Sequence, residues 1–223
     1  MEEGADQIGE LGLPMLVLVG GSAAFSLATS GGGGSSDLRR QPVRRVAIVG
    51  GTHGNELLGI ELVRLLQRQP EEAQRESFET VCVLANPEAT AVCQRYVSVD
   101  LNRCFTAATL GGAEPDAASV EEARARELDA MLGPKRSESP QCDVCLDVHT
   151  TTSAVGTCLM MAQEDALAVE LAAYLQRRRP SIRIVFWAGG RAETSTLPTL
   201  ARSGMTVEVG GSMPMRMHVL RPM

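Results

Sequence analysis

His53 and Glu56 lie three residues apart in the run Gly50-Gly51-Thr52-His53-Gly54-Asn55-Glu56. An imidazole and a carboxylate brought to one point by a turn are borderline-hard ligands, suited to zinc with nitrogen and oxygen donors. The glycines let the backbone turn tightly around an ion. A glycine-rich run that opens a helix could also cradle a phosphate. This one, however, has neither the G-x-G-x-x-G spacing nor the Gly-Lys-Ser/Thr of a P-loop. On this motif alone a plainer reading stays open, a helix start with a solvated Glu and a loop His. The second imidazole is His149, in Asp147-Val148-His149-Thr150-Thr151-Thr152. It follows the apolar run VCLDV and so falls at the carboxyl end of a strand. The chain has three histidines; His53 and His149 both stand at such strand ends, and His218 lies in the tail. Two His and one Glu form the three-ligand set of a catalytic zinc, with one position open.

Glu208 is embedded in Thr206-Val207-Glu208-Val209-Gly210. A carboxylate inside a β-branched strand is costly unless it is paired or functional. Near a zinc site it would serve as general base and then general acid for amide hydrolysis. On an edge strand it would simply face solvent. The segment RYVSVDLNR (95–103) puts two arginines and an asparagine in nine residues. Arg103 offers a planar fork for a carboxylate, and Arg95 a charge to meet a developing oxyanion. Without context the same residues make an ordinary charged loop. Cys142-x-x-Cys145 is expected on a strand, its side chains on opposite faces, and without a second pair it makes a poor redox or zinc motif.

Strands alternate with helices around these residues. Strands are expected at 43–49, 80–85, 143–148, 156–162, 182–187 and 205–209. Helices are expected at 55–68, with Leu58, Leu62, Leu65 and Leu66 on the apolar face, at 120–132, at 165–178 and, briefly, at 196–203. That order predicts an α/β domain with a largely parallel or mixed sheet, whose ligands bind at the carboxyl ends of strands. Residues 1–42 read as a flexible extension with a Gly/Ser linker at 30–36, and 211–223 as an irregular Met- and Pro-rich tail. The apolar stretch 11–28 follows Glu2, Glu3, Asp6 and Glu10 and is broken by Pro14, Gly20 and Gly21. That pattern argues against both a secretory signal and an integral membrane span.

Composition narrows the function further. Of 223 residues, 44% are hydrophobic, 22% charged and 3% aromatic, with a net charge of −6. An acidic chain poor in aromatics has no footprint for nucleic acid and no base-stacking platform. Six scattered cysteines in a chain of this length suit reduced thiols and a cytoplasmic location.

The segments GGTHGNE (50–56), LANPEAT (84–90), RYVSVDLNR (95–103), ARARELDAMLGPK (123–135), LDVHTTTS (146–153) and VEVG (207–210) together resemble the aspartoacylase/aminoacylase-3 family. These are zinc amidohydrolases related to the carboxypeptidase A class. The resemblance spans roughly 45–210 and implies a zinc-carboxypeptidase-like mixed sheet flanked by helices, with 43–210 as the catalytic domain. It implies one zinc ion per chain, held by His53, Glu56 and His149. It implies Glu208 as catalytic acid/base, Arg95 against the scissile acyl carbonyl, and Asn102 and Arg103 on the substrate's α-carboxylate. The reaction would be hydrolysis of an N-acyl amino acid to a carboxylate and a free amino acid.

Within the family the segments look more like aminoacylase-3, which acts on N-acetyl aromatic amino acids and mercapturates. Aspartoacylases carry an arginine ten residues before the catalytic Glu, where Pro198 stands here. Three departures are visible. Thr150 replaces the usual Asn after the second zinc histidine. Gly211-Ser212-Met213 replaces a Gly-Pro-Gln-Pro-Gln-Gly run. Most of the family's C-terminal β domain, which closes over the site and supplies a substrate-binding Tyr, has no counterpart. A non-catalytic zinc-binding form, an aspartoacylase acting on N-acetyl-aspartate and a carboxypeptidase-like peptidase are the competing expectations. A homo-oligomer is compatible with the sequence, and the family resemblance also allows a peripheral position at the apical membrane.

Overall fold

The computed structural model describes residues 41–111, 118–187, 189–191 and 193–210. The expected extension up to residue 40 and the expected tail from 211 lie outside the described residues, as does His218. Six strands form one sheet: β1 (Arg45–Gly50), β2 (Glu79–Leu84), β3 (Val144–Thr151), β4 (Thr157–Ala162), β5 (Arg183–Trp187) and β6 (Ser203–Gly210). Their order is β2-β1-β3-β6-β4-β5. The first four in that order run parallel, and β4 pairs antiparallel with β6. The sheet is therefore mixed. The principal helices are α1 (Leu57–Arg68), α2 (Pro87–Ala91), α3 (Ala107–Gly111), α4 (Val120–Leu132) and α5 (Ala166–Arg178).

Strand alternation divides the core in two. Ile48, Leu146, Val148, Met205 and Val207 face α1 and α5, meeting Leu66, Ala168, Ala172 and Leu175. Ala47, Val49, Val83 and Cys145 face the other way, onto Ala125, Leu128 and Leu132 of α4, with Leu101, Phe105, Leu197 and Leu200. Asp147 and His149 share the second face with Cys145, so the candidate site lies on the α4 side, at the carboxyl ends of β1, β3 and β6.

Several boundaries differ from expectation for physical reasons. α1 starts at Leu57, not Asn55, because Glu56 is its non-helical cap and turns its side chain away from the helix. The most deeply buried positions of α1 are Ile60 and Val63, while Leu58 and Leu62 are only partly buried. β3 continues to Thr151, because 149–151 pair with 208–210 of β6. His149 is thus inside the strand rather than after it. The helix expected at 196–203 is a 3-10 turn, Leu197–Leu200, with Pro198 in it; from Ser203 the chain pairs with β3. Cys142 precedes β3, and it joins Cys145 in the same core cluster instead of facing away from it. Burial pushes the Cys142 thiol up to about 11 and that of Cys145 well above its ordinary value. Both are inert packing residues, and all six cysteines are free thiols.

The first turn of α1 packs unusually close to the sheet. A Cβ on Gly59 would stand 2.3 Å from the Val148 carbonyl oxygen, and one on Gly50 would stand 2.1 Å from the Gly59 carbonyl oxygen. Backbone lies on both sides, so neither position can yield by rotating a side chain. Gly59→Ala is expected to cost about 3 kcal/mol, the upper part of the overpacking range. Urea denaturation measures it, and an unchanged midpoint would contradict this packing.

Candidate active site

Each candidate ligand side chain is delivered by a different local device. His53 sits in the turn that leaves β1. Gly54 brings that turn against α2, where a Cβ would meet the Ala89 carbonyl carbon at 2.1 Å. Glu56 caps α1 from the same turn, its N–H donating to the His53 carbonyl at 3.1 Å. Its carboxylate accepts the Thr150 N–H at 3.0 Å, which ties the turn to β3. His149 stands on β3, opposite Glu208 on β6.

These residues converge. His53 Nδ1 lies 2.6 Å from Glu56 Oε1, and His149 Nδ1 lies 2.9 Å from Glu56 Oε2. The two Nδ1 atoms are 3.2 Å apart. Both imidazoles are buried, and candidate ligand atoms of all three residues fall within 4.8 Å of one another. The far nitrogen of each ring meets a carboxylate: His149 Nε2 is 2.7 Å from Asp147 Oδ2, and His53 Nε2 is 3.2 Å from Asp100 Oδ1. Carboxylates at Nε2 fix the proton there and turn a lone pair at Nδ1 toward the centre; the tautomers are assigned from this network. The centre then holds two nitrogen lone pairs and a carboxylate, all acceptors, and requires a positive charge.

The electrostatics agree. Burial disfavours a charged His149, yet the carboxylates of Asp147 and Glu56 outweigh it and raise the imidazole well above its ordinary value. Burial likewise opposes charge on Glu56, but in the absence of metal a proton shared at Nδ1 with the His149 and His53 rings holds its carboxyl far below the usual range. A site that retains a proton this strongly is one that a divalent cation can occupy by displacing it. His, Glu and His at these positions fit a metal of zinc's type.

The remaining candidates gather around this centre. The Arg95 guanidinium, about half exposed, lies 3.4 Å from Glu56 Oε1 and 3.2 Å from Asp100 Oδ2. The 3-10 turn Leu101–Arg103 presents Asn102 and Arg103. Asn102 is buried, and its Oδ1 accepts the Leu197 N–H at 2.9 Å, leaving its NH2 group to donate. Arg103 is exposed and donates to the Asn102 carbonyl at 2.9 Å. Glu208 shares a sheet face with His149. Among the described residues nothing donates a hydrogen bond to its carboxylate. Burial raises its pKa, with Glu56 and Asp147 adding to the rise and His149 opposing it. Alternation alone left Glu208 between a site and a solvent-facing edge; β6 is an interior strand, and that alternative falls away.

Sequence reasoning overlooked the carboxylates behind the histidines. Asp147 is fully buried and shared between His149 Nε2 and the Thr52 hydroxyl, which donates at 2.7 Å. The signal was present: Asp147 and His149 are two apart on a strand and so share a face. Asp147→Asn keeps the shape but withdraws the charge that orients the ring. It is expected to weaken metal binding by about 10- to 100-fold, measured by competition with a chromogenic chelator. Undiminished affinity would show that Asp147 plays no such part.

A mixed α/β sheet with two His and one Glu at its strand ends defines the zinc-carboxypeptidase-like class of fold. Residues 42–223 match the succinylglutamate desuccinylase/aspartoacylase catalytic domain, and the chain belongs to that family. It is 42% identical over 185 residues to the human N-acyl-aromatic-L-amino acid amidohydrolase (carboxylate-forming), covering 82% of this chain and 57% of that protein. It is 37% identical over 168 residues to a probable aspartoacylase of Nostoc, covering 75% and 55%. The crystal structure of murine aminoacylase 3 superposes with a TM-score of 0.71 at 40% identity, covering 78% of this chain and 58% of that one. The chain thus spans little more than half the length of these relatives. The names of the family and of these relatives are those of hydrolytic enzymes.

Proposed function

We propose that this chain is a zinc-dependent amidohydrolase that cleaves N-acyl amino acids, with N-acetyl aromatic amino acids and mercapturates as the substrate class. The observation that carries the proposal is the convergence of His53 Nδ1, His149 Nδ1 and the Glu56 carboxylate into an acceptor-only centre. The name of the 42%-identical human relative supports the aromatic N-acyl amino acids, and mercapturates come from the family resemblance of the sequence segments. One zinc ion per chain would be held by His53, Glu56 and His149; when bound, it supplies Lewis-acid polarisation and makes a water acidic enough to act near neutral pH.

The other roles fall to the chain's own groups. Glu208, its pKa raised by burial, takes a proton from the attacking water and returns it to the leaving amine nitrogen. Arg95 carries a fixed positive charge between Glu56 and Asp100, where the acyl oxygen would gain negative charge. The Asn102 NH2 group and the Arg103 guanidinium donate to the substrate's α-carboxylate. Residues 43–210 would form the catalytic domain, and six free thiols support a cytoplasmic location. No helix among the described residues is long and apolar enough to cross a membrane.

A second reading, an aspartoacylase, draws on the Nostoc relative. Against it, the buried Pro198 stands where a second carboxylate would need an arginine. Initial rates on N-acetyl-tyrosine and N-acetyl-aspartate decide between them. Faster tyrosine-derivative cleavage supports the proposal, and faster aspartate-derivative cleavage overturns the substrate class.

A further inference from the structure

The segment 92–99, which carries Arg95 and leads into Asp100, is exposed along its whole length, including Val92, Tyr96, Val97 and Val99. It buries no side chain to hold itself in place, yet it sets two charged groups against the metal triad. What holds its second half is Glu121, the second residue of α4, which is fully buried. Glu121 Oε1 accepts the Val97 N–H at 2.6 Å and the Asn86 amide at 3.3 Å. Oε2 accepts the Ser98 N–H at 3.0 Å and the Val99 N–H at 3.1 Å. Three consecutive backbone donors thus close on one carboxylate. At its start the segment is tied to α2, the N–H groups of Val92, Cys93 and Gln94 donating to the carbonyls of Glu88, Thr90 and Ala89, and the Arg95 carbonyl accepts the Gly54 N–H at 3.2 Å; from Val97 to Val99 Glu121 alone holds the backbone.

We infer that Glu121 is a positioning residue of the metal site: by holding the backbone N–H groups of Val97, Ser98 and Val99, it sets Asp100 against His53 Nε2 and Arg95 against Glu56. The inference rests on the metal-site reading above. Burial opposes charge on Glu121, but the N–H groups of Val97 and Val99, the Asn86 amide and the Ser98 N–H keep its carboxyl below the usual carboxylate range. It is therefore an anion at neutral pH, as the donors require. An amide in its place offers one acceptor oxygen and turns an NH2 group against N–H donors.

The test compares Glu121→Gln with Leu128→Ala. Leu128 is a fully buried residue of the same helix, whose truncation destabilises through a cavity without touching the loop. Both are prepared in the full chain. In the metal-free protein, hydrogen exchange at 97–99 and the His53 Nε2–H resonance are read directly. Zinc affinity is then read by chelator competition. Glu121→Gln is expected to speed exchange at 97–99 by about tenfold or more, as loss of a hydrogen bond to a charged group implies. It is also expected to abolish the His53 resonance and to weaken zinc by about tenfold or more. Leu128→Ala is expected to lower stability while leaving resonance and affinity as in the parent. Unchanged resonance and affinity in Glu121→Gln, or equal losses in Leu128→Ala, would overturn the inference. Should the glutamine variant not fold, Glu121→Asp, which draws the carboxylate back by one methylene, is read by the same criteria. If the parent itself takes up no zinc, the metal reading fails, while exchange and resonance still decide the role of Glu121.

Discussion

Glu208→Gln is expected to lower kcat by about 10³-fold or more while zinc stays bound. General acid–base catalysis alone contributes about 10²–10⁴-fold, and an amide can neither take nor return the proton. The ligands are untouched, because Glu208 makes no hydrogen bond to His53, Glu56 or His149 among the described residues. The pH dependence has a definite sign. Glu208 works as a base only when ionised, and burial raises its pKa. In the metal-free protein the carboxyl should therefore titrate above an ordinary glutamate, whereas a bound dication would pull it back down. Stability of the metal-free protein follows the raised value. A carboxyl whose folded pKa is raised contributes stability that is full below the unfolded value and is lost as pH rises through the folded value. Glu208→Gln removes that loss, so without metal the inactive variant should melt slightly higher than the parent at neutral pH and no higher in acid. Activity and zinc content on one preparation, with melting curves at two pH values, check all of this. Undiminished turnover would remove Glu208 from the mechanism.

Arg95→Ala is expected to lower kcat/KM by about 10²-fold or more, the effect of deleting one donor to a developing oxyanion. Arg95→Lys should recover little of it. A lysine ammonium is a single point charge, whereas the guanidinium reaches Glu56 through one nitrogen and Asp100 through the other. Zinc should remain bound in both variants. The Arg95 guanidinium is about half exposed, so its ion pairs add little to stability. Steady-state kinetics on N-acetyl-tyrosine measures the effect. A lysine variant as active as the parent would show that only charge, and not the two-pronged placement, matters there.

The groups proposed to do the chemistry were legible in the sequence because each sits where a strand ends or where a charge is out of place. His53 and Glu56 follow β1 and its glycines, His149 closes an apolar run, and Glu208 interrupts a β-branched one. The six strands and three long helices were legible from periodicity, and the extra strand pairing of 149–151 was not, because it depends on β6, a non-local partner. The short helices α2 and α3 were missed, having too few residues to show a period. In α2 the clue was chemical: Asn86 accepts the Ala89 N–H at 3.2 Å, and Pro87 fills the first helical position. The supporting carboxylates were the largest omission. Asp100 and Glu121 act through hydrogen bonds to groups 47 and 22 residues away, which only folding brings together, whereas Asp147 stands two residues from His149 on the same strand face and was legible there. Cys142 and Cys145 were misplaced for a related reason, since Cys142 leaves the strand and follows the core instead.

The most direct test of the metal centre is zinc per chain on the purified protein, beside the His53→Ala/His149→Ala variant as control. About one zinc per chain, lost in the control, is the expected result; it follows from two Nδ1 lone pairs and a carboxylate meeting at one point. A parent with no more zinc than the control would contradict the site and, with it, the proposed hydrolysis.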